Sequence, residues 1–339
     1  MWMVIITASA GVSLGIIGSF LVISYAPQLA LIDKPKQRSS HSFPVPRGGG
    51  IGIFTAFILV GFFIRYDISF IVLACIAGLL GLMEDRFALS AKLRLLIQLI
   101  IAGSVVLTFR GVPGSITEIV FFAASIFFIT GTANFYNFMD GINGIAGLTA
   151  VVSFGLLAFF CFFIINNTEI GLISISLLSA SMGFLPFNFP KAKVFMGDVG
   201  SIFLGFVFAS FVVKLSTDIN MFLCLIMFLC TFYADAIVTI IFRCKQAENL
   251  MKAHRSHLYQ YVSNELAVPH WKVSIVYAAI QFVIGFLALL VFKKGLYWQL
   301  AVFTGFGSMF FIAYKVIKNI KPMLPMAQIL QKDIGGNSK

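Results

Sequence analysis

Asn134–Gly144 reads NFYNFMDGING, setting three amides, one carboxylate (Asp140) and two glycines between two long apolar runs. Such a cluster suits a polar ligand or a metal held at a membrane surface. Its plainer use is an Asn/Asp/Gly turn that caps a helix. A second segment, Asn188–Ser201 (NFPKAKVFMGDVGS), puts Asp198 before small residues at a predicted helix start. Phe195, three residues earlier, can stack on a base, and Asn188 opens the segment as a polar substrate contact. Hard Mg²⁺ takes oxygen ligands, often one or two carboxylates with substrate phosphates, so Asp140 and Asp198 are the candidate metal ligands. A third pair, Glu84-Asp85, ends a predicted helix, and Lys92 follows one short loop later, where the three could hold a phosphate with its proton or metal. In Asp33–Gly50, Arg38, His41 and Arg47 could meet phosphate ahead of Gly48-Gly49-Gly50. His254-Arg255-Ser256-His257 lies in the longest connection, 243–272. Its i,i+3 histidines would share one face of a helix, and two imidazoles around an arginine suit an anionic phosphate better than zinc.

These segments interrupt a chain that is 60% hydrophobic and 11% charged, with a mean hydropathy of +0.99. That composition excludes an ordinary soluble domain. A membrane span takes about 20 apolar residues at roughly 1.5 Å rise. Residues 3–25, 49–64, 68–83, 93–109, 116–134, 143–165, 170–187, 199–213, 219–242, 273–292 and 297–314 qualify, with 68–83 and 199–213 the weakest. The expected fold is an all-α integral membrane protein, a polytopic bundle of about 11 (10–11) transmembrane helices with active-site loops at one end. It is read as a single domain over residues 1–339, with 315–339 a basic tail. The first span lacks a basic n-region, so it reads as a membrane helix rather than a signal peptide. The five cysteines show no CxxC or Cys/His spacing and read as packing residues.

If the connection after the first span is cytoplasmic, most of the 24 Lys and Arg residues fall on that side, leaving Arg65, Arg110, Lys214, Lys293 and Lys294 opposite. This asymmetry predicts an outer N-terminus and a cytoplasmic C-terminus. The net charge of +11 then means a basic cytoplasmic face, suited to anionic headgroups and substrates. No nucleic-acid-binding motif is present, and no nucleic-acid partner is expected. Glu84, Asp85, Asp140 and Asp198 lie on the same side, while Asp235 falls inside its span toward that end. A secondary transporter, the rival class, would place its polar groups near the midplane on broken helices related by repeats. Here the polar residues crowd one surface.

Taken together, these segments resemble the polyprenyl-phosphate N-acetylhexosamine-1-phosphate transferases, the superfamily of the MraY, WecA and WbpL types (glycosyltransferase family 4). The resemblance runs from Asp33 to Gln260, and NFMDGINGIAG (Asn137–Gly147) with PKAKVFMGDVGS (Pro190–Ser201) carries most of it. It implies a bacterial inner-membrane enzyme working at the cytoplasmic face. There a UDP-N-acetylhexosamine would meet undecaprenyl phosphate, sugar-1-phosphate would pass to the lipid, and UMP would leave. Asp198 matches the family's Mg²⁺-binding aspartate, with Mn²⁺ as a substitute metal. Phe195 matches the uracil-stacking aromatic, and Asn137 and Asp140 match nucleotide- and metal-site residues. Asp85 matches the second acid of an Asp-Asp pair and is expected to orient the lipid phosphate, and to deprotonate it when monoanionic, without forming a covalent intermediate. Lys92 matches a pyrophosphate-contacting lysine, and His254 and His257 match the outer histidines of an HxHH pattern. Glu84 departs from the pattern where the pair begins with Asp, and Ser256 replaces the inner histidine. With Arg255, the HRSH sequence is nearest the WbpL-like branch, which handles 6-deoxy sugars such as FucNAc or QuiNAc for O-antigen or capsule-type polysaccharide. MraY-type activity is the alternative within the superfamily. Membrane lipids and a second copy of the chain complete the expected partners.

Overall fold

The computed structural model describes residues 1–35, 43–87, 89–249 and 255–320. Surrounded by lipid, a chain must satisfy its backbone N–H and C=O groups internally, and the apolar runs accordingly form helices. In chain order these are α1 (Trp2–Leu29), α2 (Ile51–Phe63), α3 (Ile68–Phe87), α4 (Ala91–Arg110), α5 (Ile116–Phe138), α6 (Ile145–Phe163), α7 (Thr168–Asn188) and α8 (Asp198–Leu215). Then follow α9 (Ile219–Ile226), a 3₁₀ turn (Met227–Leu229), α10 (Cys230–Lys245), the short α11 (Leu258–Gln260), α12 (His270–Phe292) and α13 (Leu296–Lys318). Strand β1 (Ile32–Asp33) pairs antiparallel with β2 (Val45–Pro46), Ile32 opposite Pro46. Among the described residues, ten helices are long and apolar enough to cross a membrane, with Ile219–Lys245 taken as one span. The chain is an all-α polytopic membrane protein.

One expected span falls short. Residues 49–64 form α2, which has 13 residues, or roughly 20 Å against a hydrocarbon core of about 30 Å. Gly48, at φ 102°, and the two glycines after it delay the helix start. Backbone closeness is the reason, since a Cβ on Gly50 would strike the Cα of Gly200 in α8. The weak 199–213 signal turns out to be the central helix. Every residue of α8 from Val199 to Val213 is buried, with α3 and α5 packed along it.

Helix starts are capped by two different means. Ser90, Ser115, Asn167 and Asp218 cap α4, α5, α7 and α9 with their own side chains. The helices α6 and α8 begin at Gly144 and Gly197 without such a cap. Their first N–H groups are met from other helices, and both starts lie where the polar segments gather.

Candidate active site

The N–H of Asp198 donates to Asp85 Oδ1 and that of Val199 to Asp85 Oδ2, each at 3.0 Å. Asp85 lies in the last turn of α3 and is 1% exposed. Its charge faces the positive end of the α8 dipole. Arg47 grips the same place, with Nη2 donating to the Asp85 carbonyl and Nε 3.8 Å from its Oδ1. The fit leaves no room for side chains. A Cβ on Gly81 would run into the Asp198 carbonyl, and Gly197, at φ 76°, would place a Cβ 2.6 Å from Asp85 Oδ2.

So held, Asp198 turns its carboxylate into a polar recess. Asn137, in the last turn of α5, donates from Nδ2 to Asp198 Oδ1 (2.9 Å) and to Ser201 Oγ (3.0 Å). Arg94 Nη1 lies 3.4 Å from Asp198 Oδ2 and 3.5 Å from Glu84 Oε1. Asp140 follows α5 and is half-buried. Burial first, then the charges of Asp198 and Asp85, push its carboxyl up to about 8. Glu84, Asp85, Asp140 and Asp198 thus crowd against Arg47 and Arg94. Glu84 Oε2 and Arg47 Nε are buried without a hydrogen-bond partner among the described residues. Among those residues no three His, Cys, Asp or Glu side chains cage a metal. Mg²⁺ needs no cage when substrate phosphates complete its shell, and crowded carboxylates with an unspent oxygen fit a hard divalent cation.

Asn188, at the end of α7, works as a latch. Its Oδ1 accepts the Gly144 N–H at 2.7 Å, and its Nδ2 donates to the Val194 carbonyl at 2.9 Å. It thereby joins the two motif segments and is engaged at both ends of its amide. Phe195 is tied by its backbone to Pro46 and Gly49, and its side chain is partly exposed. Tyr259 Oη donates to the Phe138 carbonyl at 2.8 Å, docking the 255–260 segment on the Asp140 turn. His257 is 3% exposed, with Nδ1 3.4 Å from Asp235 Oδ1.

Several expectations change. Arg255 and Ser256 precede α11 and His257 is its N-cap, so 255–257 is irregular chain rather than part of a helical histidine face. Arg255 sits 4.0 Å from Glu265. His254, Arg38 and His41 lie outside the described residues. Lys92 is exposed in the first turn of α4, and Arg94, two residues on, makes the contact with Asp198. Asp85, expected at the lipid phosphate, spends both oxygens on α8. Arg94, Ser201, Tyr259 and Asp235 had no assigned part. In the sequence Arg94 is one basic residue among those of the expected cytoplasmic side. For Asp235 the available signal was an acid inside an apolar span.

Residues 68–216 match the model of glycosyl transferase family 4. The chain is 32% identical over 203 residues to a probable undecaprenyl-phosphate N-acetylglucosaminyl 1-phosphate transferase of Bacillus subtilis, covering 55% of this chain and 56% of the relative. It is 27% identical over 205 residues, with the same coverage, to the undecaprenyl-phosphate alpha-N-acetylglucosaminyl 1-phosphate transferase of Escherichia coli K12. Over 110 residues it is 37% identical to a phospho-N-acetylmuramoyl-pentapeptide-transferase of Staphylococcus saprophyticus, covering 32% of this chain and 33% of the relative. The chain thus spans little more than half the length of the first two relatives. The matched region holds Asp85, Arg94, Asn137, Asp140 and Asp198, and over that region the chain is similar to the polyprenyl-phosphate hexosamine-1-phosphate transferase superfamily.

Proposed function

We propose that the protein transfers a sugar 1-phosphate from a UDP-N-acetylhexosamine to undecaprenyl phosphate at the cytoplasmic face of a bacterial inner membrane. A lipid phosphate oxygen bonds to the sugar-linked phosphorus. The bond from that phosphorus to the bridging oxygen breaks, and the oxygen leaves on UMP. The observation that carries this reading is the convergence of Asp85, Arg94, Asn137 and Ser201 on Asp198 at the head of α8.

Phosphoryl transfer asks a protein chiefly for positioning and for charge against the equatorial oxygens. Asp198 and Asp140 would hold Mg²⁺ or Mn²⁺. When bound, the ion supplies positive charge to the diphosphate and to the departing UMP. Asn137 fixes the Asp198 rotamer, and Asp85 acts through Asp198 by holding its backbone. Phe195 offers an aromatic face to uracil. Lys92 and Arg255 add donors for phosphate at the rim, and the buried His257 would add another from inside the fold. A phosphomonoester has a second pKa of about 6, so near neutral pH no side chain has to deprotonate the nucleophile. The HRSH sequence favours a 6-deoxy-N-acetylhexosamine and O-antigen or capsule-type synthesis. The relatives' names favour N-acetylglucosamine.

The test is UMP release by the purified chain with Mg²⁺, undecaprenyl phosphate and a panel of UDP-GlcNAc, UDP-FucNAc, UDP-QuiNAc and UDP-MurNAc-pentapeptide. Release should require the lipid, and Asp198→Asn should lower it about 10³-fold while the protein still inserts. No UMP from any donor would sink the reading. Near-normal turnover in Asp198→Asn would remove Asp198 from its role.

A further inference from the structure

We propose that Asp235, with Tyr277 and Thr239, is a buried anchor that positions His257 and fixes which of its ring nitrogens carries the hydrogen. Asp235 lies within α10 and is 0% exposed. Acids inside membrane spans are rare and are kept with named partners. Its Oδ1 accepts the Leu258 N–H at 2.8 Å and Thr239 Oγ1 at 3.1 Å. Its Oδ2 accepts Tyr277 Oη at 2.7 Å and the Tyr259 N–H at 3.1 Å. Backbone N–H groups can only donate, so both oxygens must accept, which is the bonding of an ionised carboxylate. His257 Nδ1 faces this acceptor at 3.4 Å, a contact longer than a well-formed hydrogen bond, and the arrangement favours the hydrogen on Nδ1. The partner of one ring nitrogen decides the state of the other, and Nε2 is left as the edge turned away from the anchor.

The anchor is braced from α12. His270, Ser274, Tyr277 and Gln281 recur at helical spacing and so share one face. Ser274 Oγ donates to the Asn143 carbonyl at 2.8 Å. Gln281 Nε2 donates to the Phe228 carbonyl at 2.8 Å and the Thr149 carbonyl at 3.2 Å. One helix face thus holds both the Asn137–Asn143 wall and Asp235, while Tyr259 bonds that wall at Phe138. His257 cannot move against the Asp140 turn without breaking these bonds. Asp235 and Tyr277 are positioning residues, acting through His257.

The turnover arm of the test rests on the transferase reading, and the chemical arm does not. In the full chain in lipid nanodiscs, carbethoxylation of His257 by diethyl pyrocarbonate is followed by peptide mass spectrometry. Wild-type His257 should be protected, and Asp235→Asn and Tyr277→Phe should each raise its modification several-fold. UMP release should fall about 10–100-fold in Asp235→Asn and about 3–10-fold in Tyr277→Phe. Asp235→Asn combined with His257→Ala should be no slower than His257→Ala alone, within about twofold. Unchanged protection of His257 in both variants overturns the anchor, and so does a double-variant loss equal to the product of the singles. If Asp235→Asn does not fold, Tyr277→Phe is read by the same two measures, alone and with His257→Ala. If the wild type releases no UMP, the transferase reading fails and the modification arm still decides the anchor.

Discussion

Two aspartates in this bundle each accept the N–H groups of two successive residues from a distant segment. Asp85 takes those of Asp198 and Val199, and Asp235 takes those of Leu258 and Tyr259. The residue so placed is the metal-ligand candidate Asp198 in one case and lies next to the histidine candidate, His257, in the other. The segments differ. Asp85 meets an 18-residue helix whose dipole supports a negative charge, and Arg47 adds a cation. Asp235 meets a helix of three residues that runs on into the π-helical turn Tyr261–Glu265, less than half the length of α8, and recruits the hydroxyls of Tyr277 and Thr239 besides His257. The first clamp leans on backbone and charge, the second on side-chain donors.

This contrast can be broken experimentally. Asp85→Ala should do the most damage, leaving two N–H groups of α8 without an acceptor at about 1–3 kcal/mol each. Its thermal unfolding midpoint should fall well below that of Tyr277→Phe. Equal shifts would erase the distinction between the clamps. A middle-sized effect concerns acid crowding, which belongs to the first clamp. The carboxyl of Asp140 is raised from 3.8 to about 8. Folding therefore takes up a proton between those values, and this contribution is full below about pH 4 and lost as pH climbs through about 8. With chelator present, the midpoint should drop between about pH 5 and about pH 8, and Asp140→Asn should flatten the slope. Parallel slopes would move the crowding elsewhere. The smallest effect is expected from Thr239→Val, which removes one donor from Asp235 and should cost about 0.5–1.5 kcal/mol. A larger loss, read in the same melts, would mean that the second clamp hangs on a single hydroxyl.

The spans were legible because lipid demands long apolar helices, and Asp198 and Asn137 because few packing roles need their motifs. Residues 49–64 misled, since apolar length alone does not reveal that Gly50 must lie against Gly200. Asp85 as the cap of α8 was invisible, because the two are brought together only by the approach of α3 at Gly81. Lys92 is placed by the family resemblance, whereas Arg94 stands out only once the first turn of α4 shows which side chain reaches Asp198. The α12 stripe could have been read, since polar residues at helical spacing in a membrane span must find partners.

The Arg94 and Asp198 side chains are largely covered, at 16% and 23% exposed. Dissolved salt screens exposed charges over about 8 Å at physiological ionic strength and buried ones much less. The arginine contacts at Asp198 should therefore hardly respond to added salt, while Lys92 and the Arg255–Glu265 pair at the rim feel it fully. Ionic strength would then govern how an anionic substrate arrives far more than how it is held once seated.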